Sequence, residues 1–417
     1  MAAKKIIVIG GGAVGLCAAH YLCAAGCDVT VLEMDSIGSG SSLHNAGLVV
    51  PSHFTPLASP GVLTLGLRWM LNPESPFYIK PRLDGELASW LWHFLVAATE
   101  RRVERAMPLL RDMSQLSFSL FEELARLPEM DFEFQKRGLL MLWRTAHGRA
   151  STVKTAEQAG RIGIDARVLD RDGLHELEPG VRFNASGGVY YPGDAHLTPA
   201  LFLEQLRELL ARQKVQFFTS TRVTGFNTRP AAISSVRTTS GTFSADEYVL
   251  ASGAWSPGVL KSLRIALPLE PGKGYSATIY QPAVRVRIPC LLEEDRVAVT
   301  PMGDRLRFAG TMELAGLDTS INLRRVNAIL RAVPRYIAAL EPAAAEYAEV
   351  WAGLRPCTPD GLPFIGRFQR WENLIAATGH AMIGISLAPI TGKLVTEIVQ
   401  GQIPSIDLHL LRPDRYS

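Results

Sequence analysis

A glycine-rich turn followed by an acidic residue stands near the start of the chain. Gly10, Gly12 and Gly15 fit the pattern G-x-G-x-x-G, and Glu33 lies eighteen residues after the third glycine. The three glycines permit a tight turn, close approach of backbone to a pyrophosphate, and close packing of a helix on a strand. The Glu33 carboxylate can accept hydrogen bonds from both ribose hydroxyls and would repel a 2′-phosphate. The pattern therefore predicts a site for an adenine dinucleotide, FAD or NAD, and disfavours NADP.

The elements around this turn are the ones that the motif requires. Residues 5–9 form a continuous run of mostly β-branched residues, which predicts a buried strand. Residues 13–25 are good helix formers, Gly26 predicts the end of that helix, and residues 28–32 predict a second strand. The helix amino terminus would offer free N–H groups and a positive dipole end to phosphates. A glycine-rich loop in an unrelated α/β domain is the disfavoured alternative.

Length and composition set the class of protein. The chain has 417 residues, which suits two or three domains of about 100–200 residues each. Hydrophobic residues make up 47% and charged residues 20%, which excludes a disordered chain. The formal net charge of +3 is too balanced for a nucleic-acid surface, so no nucleic-acid partner is expected. No secretory signal and no bilayer-spanning stretch is visible, so we expect a cytoplasmic location.

The cysteines do not predict disulfides or a metal site. Their number, five, is odd, and their density is low, which argues against a disulfide framework. Cys23 and Cys27 stand one helical turn apart, but no nearby His, Asp or Glu completes a set of four ligands. Small buried thiols in a helix are the favoured interpretation, and no metal is expected.

Apolar periodicity predicts helices in the part of the chain that follows. From residue 86 a stripe at i, i+3, i+4, i+7 and i+8 comprises Leu87, Trp90, Leu91, Phe94 and Leu95. Residues 109–127 continue as apolar-periodic helix, residues 199–212 predict a further amphipathic helix, and residues 326–339 predict another helix. Trp92 stands off the stripe and could touch a membrane or a partner, although a core position is favoured.

Several predicted strands end in small residues. Residues 242–251 lead into Ser252-Gly253-Ala254-Trp255, and residues 374–377 lead into Thr378-Gly379-His380. Such strand ends let a ligand approach the backbone. Short β-like runs at 275–280, 297–301 and 306–311 predict an antiparallel sheet beside the nucleotide domain. The fold class is therefore α/β (α+β overall).

Four separated blocks give the chain a family resemblance. Residues 8–15, 250–257, 353–366 and 377–380 resemble, together and over essentially the full length, the FAD-dependent amine and amino-acid oxidoreductases of the D-amino-acid oxidase type. The branch is indicated by further residues: Asn45-Ala46-Gly47, Pro51, Pro60-Gly61 and Trp69-Met70. These look most like the bacterial D-amino-acid dehydrogenases, including the hydroxyproline-type dehydrogenases, with glycine oxidase and sarcosine oxidase as more distant relatives.

The resemblance implies a cofactor and a domain layout. It implies a Rossmann-like FAD-binding domain made of residues 1–50, 145–260 and 345–417. A substrate domain with an antiparallel sheet and helices would use residues 51–144 and 261–344. Sarcosine oxidases bind flavin covalently through a cysteine upstream of a Thr-Pro-Asp run. The corresponding position here is not cysteine, and Cys357 lies too near Asp360 to match, so non-covalent FAD is expected.

The resemblance also assigns site residues. Arg355 would bind a substrate carboxylate, with a structural ion pair as the alternative. His380 would polarise the flavin or take the amine proton, or would be a packed histidine with one hydrogen bond. Lys273 would face the flavin, or be solvated, and Tyr275 and His53 would line the pocket. The residues expected to contact FAD are Gly10, Gly12, Ala13, Val14, Gly15, Glu33, Ser41, Ser42, Asn45, Ala46, Gly47, Val223, Ser252, Gly253, Trp255, Gly379, His380, Gly384 and Ile385. The last two would offer backbone N–H groups to flavin O2.

The implied reaction is hydride transfer from Cα–H of a D-amino acid to FAD, giving an imine that hydrolyses to a 2-oxo acid and ammonia. D-Proline or hydroxy-D-proline would give a cyclic imine. A quinone or a redox partner is the expected electron acceptor, with peripheral contact at the inner face of the membrane. The alternatives are a glycine- or sarcosine-type amine oxidase that uses oxygen, a non-catalytic flavin subunit, and an NAD-dependent dehydrogenase. The last is disfavoured because no second nicotinamide-binding fingerprint is visible.

Overall fold

The computed structural model describes residues 3–61, 74–342 and 349–416, so Trp69 and Met70 of the resemblance lie outside the described residues. Within these ranges the helices are, in chain order, α1 Ala13–Ala24, α2 Gly85–Ala97, α3 Glu100–Leu124, α4 Ala146–Arg161, α5 Arg171–Leu177, α6 Pro199–Arg212, α7 Ser256–Leu260, α8 Leu323–Ala332 and α9 Ala388–Gln400. The strands are β1 Lys5–Ile9, β2 Asp28–Leu32, β3 Leu48–Val49, β4 Phe77–Ile79, β5 Leu139–Trp143, β6 Arg167–Leu169, β7 Gly187–Tyr191, β8 Ala195–His196, β9 Gln216–Phe218, β10 Val223–Arg229, β11 Ala232–Thr238, β12 Gly241–Phe243, β13 Glu247–Leu250, β14 Glu270–Tyr280, β15 Cys290–Leu292, β16 Val297–Met302, β17 Arg305–Leu314, β18 Glu349–Cys357, β19 Phe364–Phe368 and β20 Trp371–Thr378.

A mainly parallel sheet carries the amino-terminal turn. In the described part of the chain its order is β19-β20-β13-β1-β2-β9, and only β19 runs antiparallel to its neighbour. The run of β-branched residues in β1 is buried from Ile6 to Ile9, as a strand covered on both faces requires. Because β1, β13 and β20 are neighbours, their carboxyl ends meet at one edge of the sheet. The three predicted ligand-approach points are therefore adjacent.

Helix α1 is enclosed rather than amphipathic. Leu16, Cys17, Ala18, Ala19 and Leu22 are all buried, and they pack with residues of α6 and α9 in one hydrophobic cluster. Gly26 follows the helix with φ of +82°, a left-handed conformation that suits glycine. The predicted helix and its glycine end are confirmed.

A second, larger sheet is predominantly antiparallel. Among the described residues its order is β18-β14-β17-β16-β15-β5-β7-β6, and β4 adds to β17. This confirms the antiparallel sheet predicted from the short runs between 275 and 311, although β14 and β17 are longer than those runs. The described residues also contain a three-stranded sheet (β10-β11-β12) and a short pair (β3-β8).

Strand β17 contains a bulge at Thr311 and Met312. Lys273 and Tyr275 on β14 face Glu313 and Gly310 on β17, so two residues of β17, Thr311 and Met312, oppose one residue of β14. Thr311 has φ of +67°, a left-handed conformation that is rare for a β-branched residue. The bulge turns the Thr311 carbonyl away from the regular ladder.

Three sequence predictions about elements are corrected. The strand predicted over 242–251 is two strands, because β12 pairs with β11 whereas β13 joins the parallel sheet. The helix predicted over 326–339 ends at Ala332, where Pro334 follows in a short 3-10 turn. On α2 the predicted stripe is buried at Leu87, Trp90 and Phe94, but Leu95 is 51% exposed and Trp92 is 65% exposed. The favoured core position for Trp92 is therefore wrong.

The sheets do not coincide with the domain layout expected from the resemblance. Strands β6 and β7 fall within 145–260 and β18 within 345–417, which that layout assigns to the FAD-binding domain, yet all three strands pair in the larger sheet. The division into domains remains a prediction. None of the helices in the described ranges combines the length and the apolar character needed to cross a bilayer.

Candidate functional site

A cavity of about 770 Å³ lies between the two large sheets. Its wall runs from Glu33 and Val223, near the glycine-rich turn, to Tyr275 and Arg355 on the larger sheet. This volume is within the range of about 300–1,000 Å³ typical of small-molecule sites. Most of the predicted site residues line it: Gly10, Gly12, Ala13, Val14, Glu33, Ser41, Ser42, Asn45, Ala46, His53, Val223, Ser252, Gly253, Trp255, Tyr275, Arg355, His380, Gly384 and Ile385.

The glycine-rich turn leaves room that side chains would fill. A Cβ on Gly10 would lie 2.5 Å from the Ala251 carbonyl oxygen, and Gly10 has φ of +113°. A Cβ on Gly15 would lie 1.9 Å from the Gly10 oxygen, so Gly15 supports the packing of α1 and does not itself line the cavity. Gly12 caps α1 without a side-chain hydrogen bond. Ser42 Oγ accepts a hydrogen bond from the Ala13 N–H, and the other N–H groups of the first turn are left for an anionic ligand.

Glu33 follows β2 and stabilises the turn as well as lining the cavity. Its Oε2 accepts a hydrogen bond of 2.7 Å from the Gly11 N–H, and its Oε1 accepts one of 3.1 Å from the Asp35 N–H. Each carboxylate oxygen retains a lone pair. The residue can thus hold the turn and still accept hydrogen bonds from a ribose, as the sequence predicts.

The loop of residues 39–47 forms a second wall. Ser42 Oγ accepts a hydrogen bond of 3.1 Å from the Ala13 N–H, and Ser41 Oγ donates to the Leu354 carbonyl. Asn45 Oδ1 accepts from the Gly47 N–H at 2.8 Å. Gly47 itself does not line the cavity. Its φ is +70°, and a Cβ there would lie 2.3 Å from the Leu197 oxygen. The turn therefore requires glycine at this position, and the cavity lining does not support the predicted FAD contact at Gly47.

Arg307 is a positioning residue that the sequence interpretation missed. It lies on β17, is 5% exposed, and its Nη1 donates to the carbonyls of Asn45 at 2.9 Å and Leu43 at 3.3 Å. Burial lowers its pKa to about 10. The signal was available, since an arginine within a predicted apolar strand requires buried acceptors.

Arg355 projects from β18 across the neighbouring strand. A Cβ on Gly274 of β14 would lie 2.1 Å from Arg355 Nη1, so the glycine makes room for the guanidinium. Nη1 donates 2.7 Å to the Thr311 carbonyl at the bulge. No acidic side chain in the described ranges forms an ion pair with Arg355, and burial lowers its pKa. Arg355 lines the cavity, and its other N–H groups have no hydrogen-bond partner among the described residues, which suits a carboxylate ligand.

Tyr275 belongs to the cavity wall, but its hydroxyl is committed elsewhere. The hydroxyl donates 3.0 Å to Glu313 Oε2. Burial, with the Glu313 charge next, raises the pKa of Tyr275 to about 12, so it stays neutral. The residue shapes the wall beside Arg355.

The predicted contact of Lys273 with the flavin is wrong. The Lys273 ammonium lies 2.9 Å from Asp318 Oδ2 and 3.3 Å from Glu313 Oε2, and it donates to the Ser320 carbonyl at 3.1 Å. Lys273 does not line the cavity. Neighbouring residues of a strand face opposite sides, so Lys273 turns toward Glu313 and Asp318 while Gly274 lines the cavity.

His380 occupies the predicted place beside the cavity as a packed, neutral residue. Its Nε2 lies 2.9 Å from Thr391 Oγ1, and the Thr391 hydroxyl donates 2.8 Å to the Leu387 carbonyl. The single hydroxyl proton is thereby used, so Nε2 carries the proton and donates. Burial lowers the pKa of His380 to about 3, which favours the packed alternative. Gly379 does not line the cavity, and its φ of +84° serves the turn.

Trp90 is a second residue whose part in the site was missed. It lines the cavity from α2, and its Nε1 donates 2.9 Å to the Cys357 carbonyl. Phe94 stacks on it, with ring centroids 5.2 Å apart. Together with Met312 and Leu314 these rings form an apolar wall near Arg355.

The residues present fit FAD. The cavity begins at the glycine turn and the amino terminus of α1, passes Glu33, and continues between the sheets to Arg355. The glycine turn, the helix terminus and the acidic residue are the features that bind a dinucleotide, and the cavity extends beyond them to the larger sheet.

Comparison with known proteins agrees with this geometry. Residues 5–398 match the family model DAO, described as FAD dependent oxidoreductase. A D-amino acid dehydrogenase of Granulibacter bethesdensis is 33% identical, covering 99% of this chain and 100% of that protein. One of Vibrio atlanticus is also 33% identical, with coverage of 99% and 100%. Glycine oxidase from Geobacillus kaustophilus has the same fold, with a TM-score of 0.80 at 22% identity and 99% coverage of both chains.

L-Proline dehydrogenase from P. horikoshii likewise shares the fold, with a TM-score of 0.76 at 20% identity, covering 99% of this chain and 98% of that chain. The family model spans nearly the whole chain, and the curated relatives align from end to end. The chain therefore belongs to the DAO family of FAD-dependent oxidoreductases.

Proposed function

We propose that the protein oxidises a D-amino acid to its imine, with FAD as the hydride acceptor. The observation that carries the proposal is the Arg355 guanidinium, a cation on the cavity wall whose hydrogen bond within the described residues goes to the Thr311 carbonyl. A small zwitterion with a carboxylate satisfies the free donors. The full-length relatives at 33% identity are named D-amino acid dehydrogenases, which supports the D configuration.

The side chains divide the work of binding. Arg355 would fix the substrate carboxylate through the N–H groups that Thr311 leaves free, and Gly274 keeps the space that this requires. The apolar wall of Trp90, Phe94 and Met312 would receive the substrate side chain and exclude water. FAD, when bound, supplies the acceptor for the Cα hydride. Orientation of Cα is thus left to the protein, as catalysis by positioning requires.

D-Proline or hydroxy-D-proline is the proposed preferred substrate. A cyclic secondary amine has few rotatable bonds and would present a compact apolar ring to the Trp90 wall. Its oxidation would give a cyclic imine. The experiment is anaerobic bleaching of the flavin absorbance by a panel of D- and L-amino acids. D-Amino acids should bleach it, cyclic ones fastest, and bleaching by L-amino acids alone would contradict the proposal.

The proposed acceptor of the electrons is a quinone or a redox partner rather than oxygen. The word dehydrogenase in the names of the full-length relatives supports this choice. With D-proline as donor, a quinone or dye should be reduced rapidly while little peroxide forms under air. Rapid peroxide formation would instead indicate an amine oxidase, and a flavin that stays oxidised with every amine would indicate a non-catalytic flavin subunit.

FAD is proposed to be non-covalent. Cys357 is buried, its Sγ lies 3.8 Å from Met312 Sδ, and burial raises the pKa of the thiol to about 12. Such a thiol is a poor nucleophile. Acid precipitation should release all of the FAD into the supernatant, whereas yellow colour kept in the washed pellet would contradict the proposal.

Peripheral contact with the inner face of the membrane is proposed for α2. Its outer face exposes Trp92, Leu95 and Val96, at 65%, 51% and 39%, and Arg101 and Arg102 follow at the start of α3. Aromatic and aliphatic side chains beside arginines suit an anionic bilayer surface. Co-sedimentation with anionic vesicles should fall when Trp92 and Leu95 are both replaced by serine, and unchanged sedimentation would oppose the proposal.

A further inference from the structure

Three hydrogen-bonded side chains lead from the cavity wall into the protein interior. His53 lines the cavity, and its Nδ1 lies 3.3 Å from Ser52 Oγ. Ser52 Oγ is 2.5 Å from Asp194 Oδ2, to which it donates, and the Ser52 N–H donates 3.0 Å to Asp194 Oδ1. Ser52 and Asp194 are 7% and 1% exposed. A buried carboxyl group is thus connected to the cavity through two side chains.

The hydrogen bonds fix the direction of this chain. The one hydroxyl proton of Ser52 is used on Asp194, so Ser52 Oγ can only accept from His53. The imidazole must therefore carry its proton on Nδ1 and hold a lone pair on Nε2. The described residues offer Nε2 no hydrogen-bond partner. An acceptor lone pair is therefore free for a donor that enters the cavity.

The surrounding charges decide where a proton can rest. Arg296, which shares the cavity wall and pairs with Glu293 at 3.1 Å, adds to burial in lowering the pKa of His53 to about 4. The imidazole therefore resists becoming a cation. Burial raises the pKa of Asp194 to about 7, against the hydrogen bonds from Ser52. The other titratable groups near it, Tyr190 and Tyr191, are neutral phenols.

We propose that His53, Ser52 and Asp194 form a proton relay that deprotonates the ammonium group of the substrate. This rests on the proposed function, because hydride loss from Cα requires a neutral amine. The ammonium N–H bond breaks and an Nε2–H bond forms on His53. The Nδ1 proton passes to Ser52 Oγ, and the Ser52 proton passes to Asp194 Oδ2. A neutral amine, a neutral imidazole in its other tautomer and a neutral carboxyl group result.

The kinetic experiment compares Asp194→Asn with the parent holoenzyme in anaerobic flavin reduction by D-proline. At pH 7 the variant should reduce its flavin at least tenfold more slowly, since the proton has no acceptor. Above the pKa of the substrate amine the two rates should converge, because the amine then enters neutral. Glu178→Gln is the matched control, since Glu178 is a buried carboxylate bonded to the Ile288 N–H and does not line the cavity. A loss of equal size at both pH values would overturn the relay.

A second pair of measurements does not depend on turnover. Nitrogen NMR of the His53 ring should show the Nδ1–H tautomer in the parent protein, and Ser52→Ala should abolish that preference while keeping the carboxyl group. Infrared spectra should show a protonated carboxyl band that titrates near neutral pH and is missing in Asp194→Asn. The Nε2–H tautomer in the parent would overturn the relay. If no amino acid bleaches the parent flavin, the proposed function fails instead, and these spectra still test the relay.

Discussion

At the scale of single residues, backbone geometry determines which partner each buried cation of the site contacts. Arg355 and Lys273 are both cations beside the same three strands, yet one faces the cavity and the other faces Glu313 and Asp318. A buried cation with an acidic partner is a structural element, whereas one bonded to a single carbonyl has binding capacity left. This difference supports the proposal that Arg355, rather than Lys273, binds the substrate carboxylate.

Replacing Arg355 should therefore affect binding of the substrate carboxylate. For Arg355→Leu we expect transition-state binding to weaken by on the order of 2–4 kcal/mol. The kcat/KM for a D-amino acid should therefore fall about 30- to 1,000-fold. Arg237→Leu is a matched control, because Arg237 also crosses a glycine and donates 2.7 Å to a strand carbonyl, that of Phe226, but does not line the cavity. Steady-state kinetics checks this, and an unchanged kcat/KM would remove Arg355 from the role.

Glu33 should matter for retention of FAD. Glu33→Ala removes the acceptor for the Gly11 N–H and the predicted acceptor for the ribose hydroxyls. Hydrogen bonds to charged groups contribute about 1.5–3 kcal/mol each, so the Kd for FAD should rise at least about tenfold. Fluorescence titration of apoprotein measures this. Equal affinity in the variant and the parent would count against the ribose contact.

The sequence indicated the residues at the adenine end better than those around the substrate. Gly10, Gly12 and Glu33 follow strands in a local order, so short spacing alone identifies them. Lys273 was misplaced because the side that β14 presents to the cavity depends on its pairing with β17 and β18, which are distant in sequence. Arg307 and Trp90 were missed because their acceptors, the carbonyls of Asn45 and Cys357, are remote in sequence.

At the scale of elements, contacts between neighbouring strands set the shape of the cavity. Strand β14 passes under the Arg355 guanidinium at Gly274, and β17 supplies the carbonyl that anchors it. Predicted elements with strong local periodicity, such as α6 over Pro199–Arg212, are confirmed to the residue. Residues 242–251 look like one strand locally, and only pairing with different sheets separates β12 from β13.

A side chain added between these strands should displace the arginine. In Gly274→Ala the new methyl group would meet the guanidinium of Arg355 at 2.1–2.4 Å. Overpacking of this kind costs about 1–3 kcal/mol, so KM should rise about tenfold with a smaller change in kcat. Gly193→Ala is the control, because a Cβ there has no neighbour within 4 Å. If both variants show parental KM, the close approach of β14 to Arg355 is not needed for binding.

At the scale of the whole molecule, folding buries histidines in neutral form. Burial lowers the pKa of His380 to about 3 and that of His196 to about 4, below the value of about 6.5 for an unfolded chain. Between these values the unfolded state binds a proton that the folded state does not. Each group therefore lowers stability as the pH falls from about 6.5 toward its folded pKa.

This linkage gives a stability prediction for the complete chain. The free energy of unfolding of the apoprotein at pH 5, relative to pH 7, should include a loss of about 2 kcal/mol from His380. His380→Gln should remove that part of the pH dependence, whatever its effect at pH 7. Denaturant titrations at the two pH values measure it, with the exposed residue changed in His147→Gln as control. Equal pH dependence in parent and His380→Gln would show that His380 does not fold as a neutral group.

The bulge at Thr311 has a consequence for how this binding site can change. A threonine held at φ of +67° costs on the order of 1–3 kcal/mol, and the distorted strand is what brings a carbonyl to Arg355. Substitutions that remove the bulge from β17 would be favoured by selection for thermal stability. Each of them would also remove the carbonyl that holds the Arg355 guanidinium in its orientation. Variants selected only for heat resistance should therefore bind carboxylate ligands less selectively, because the peptide unit at Thr311 both lowers stability and holds the guanidinium in place.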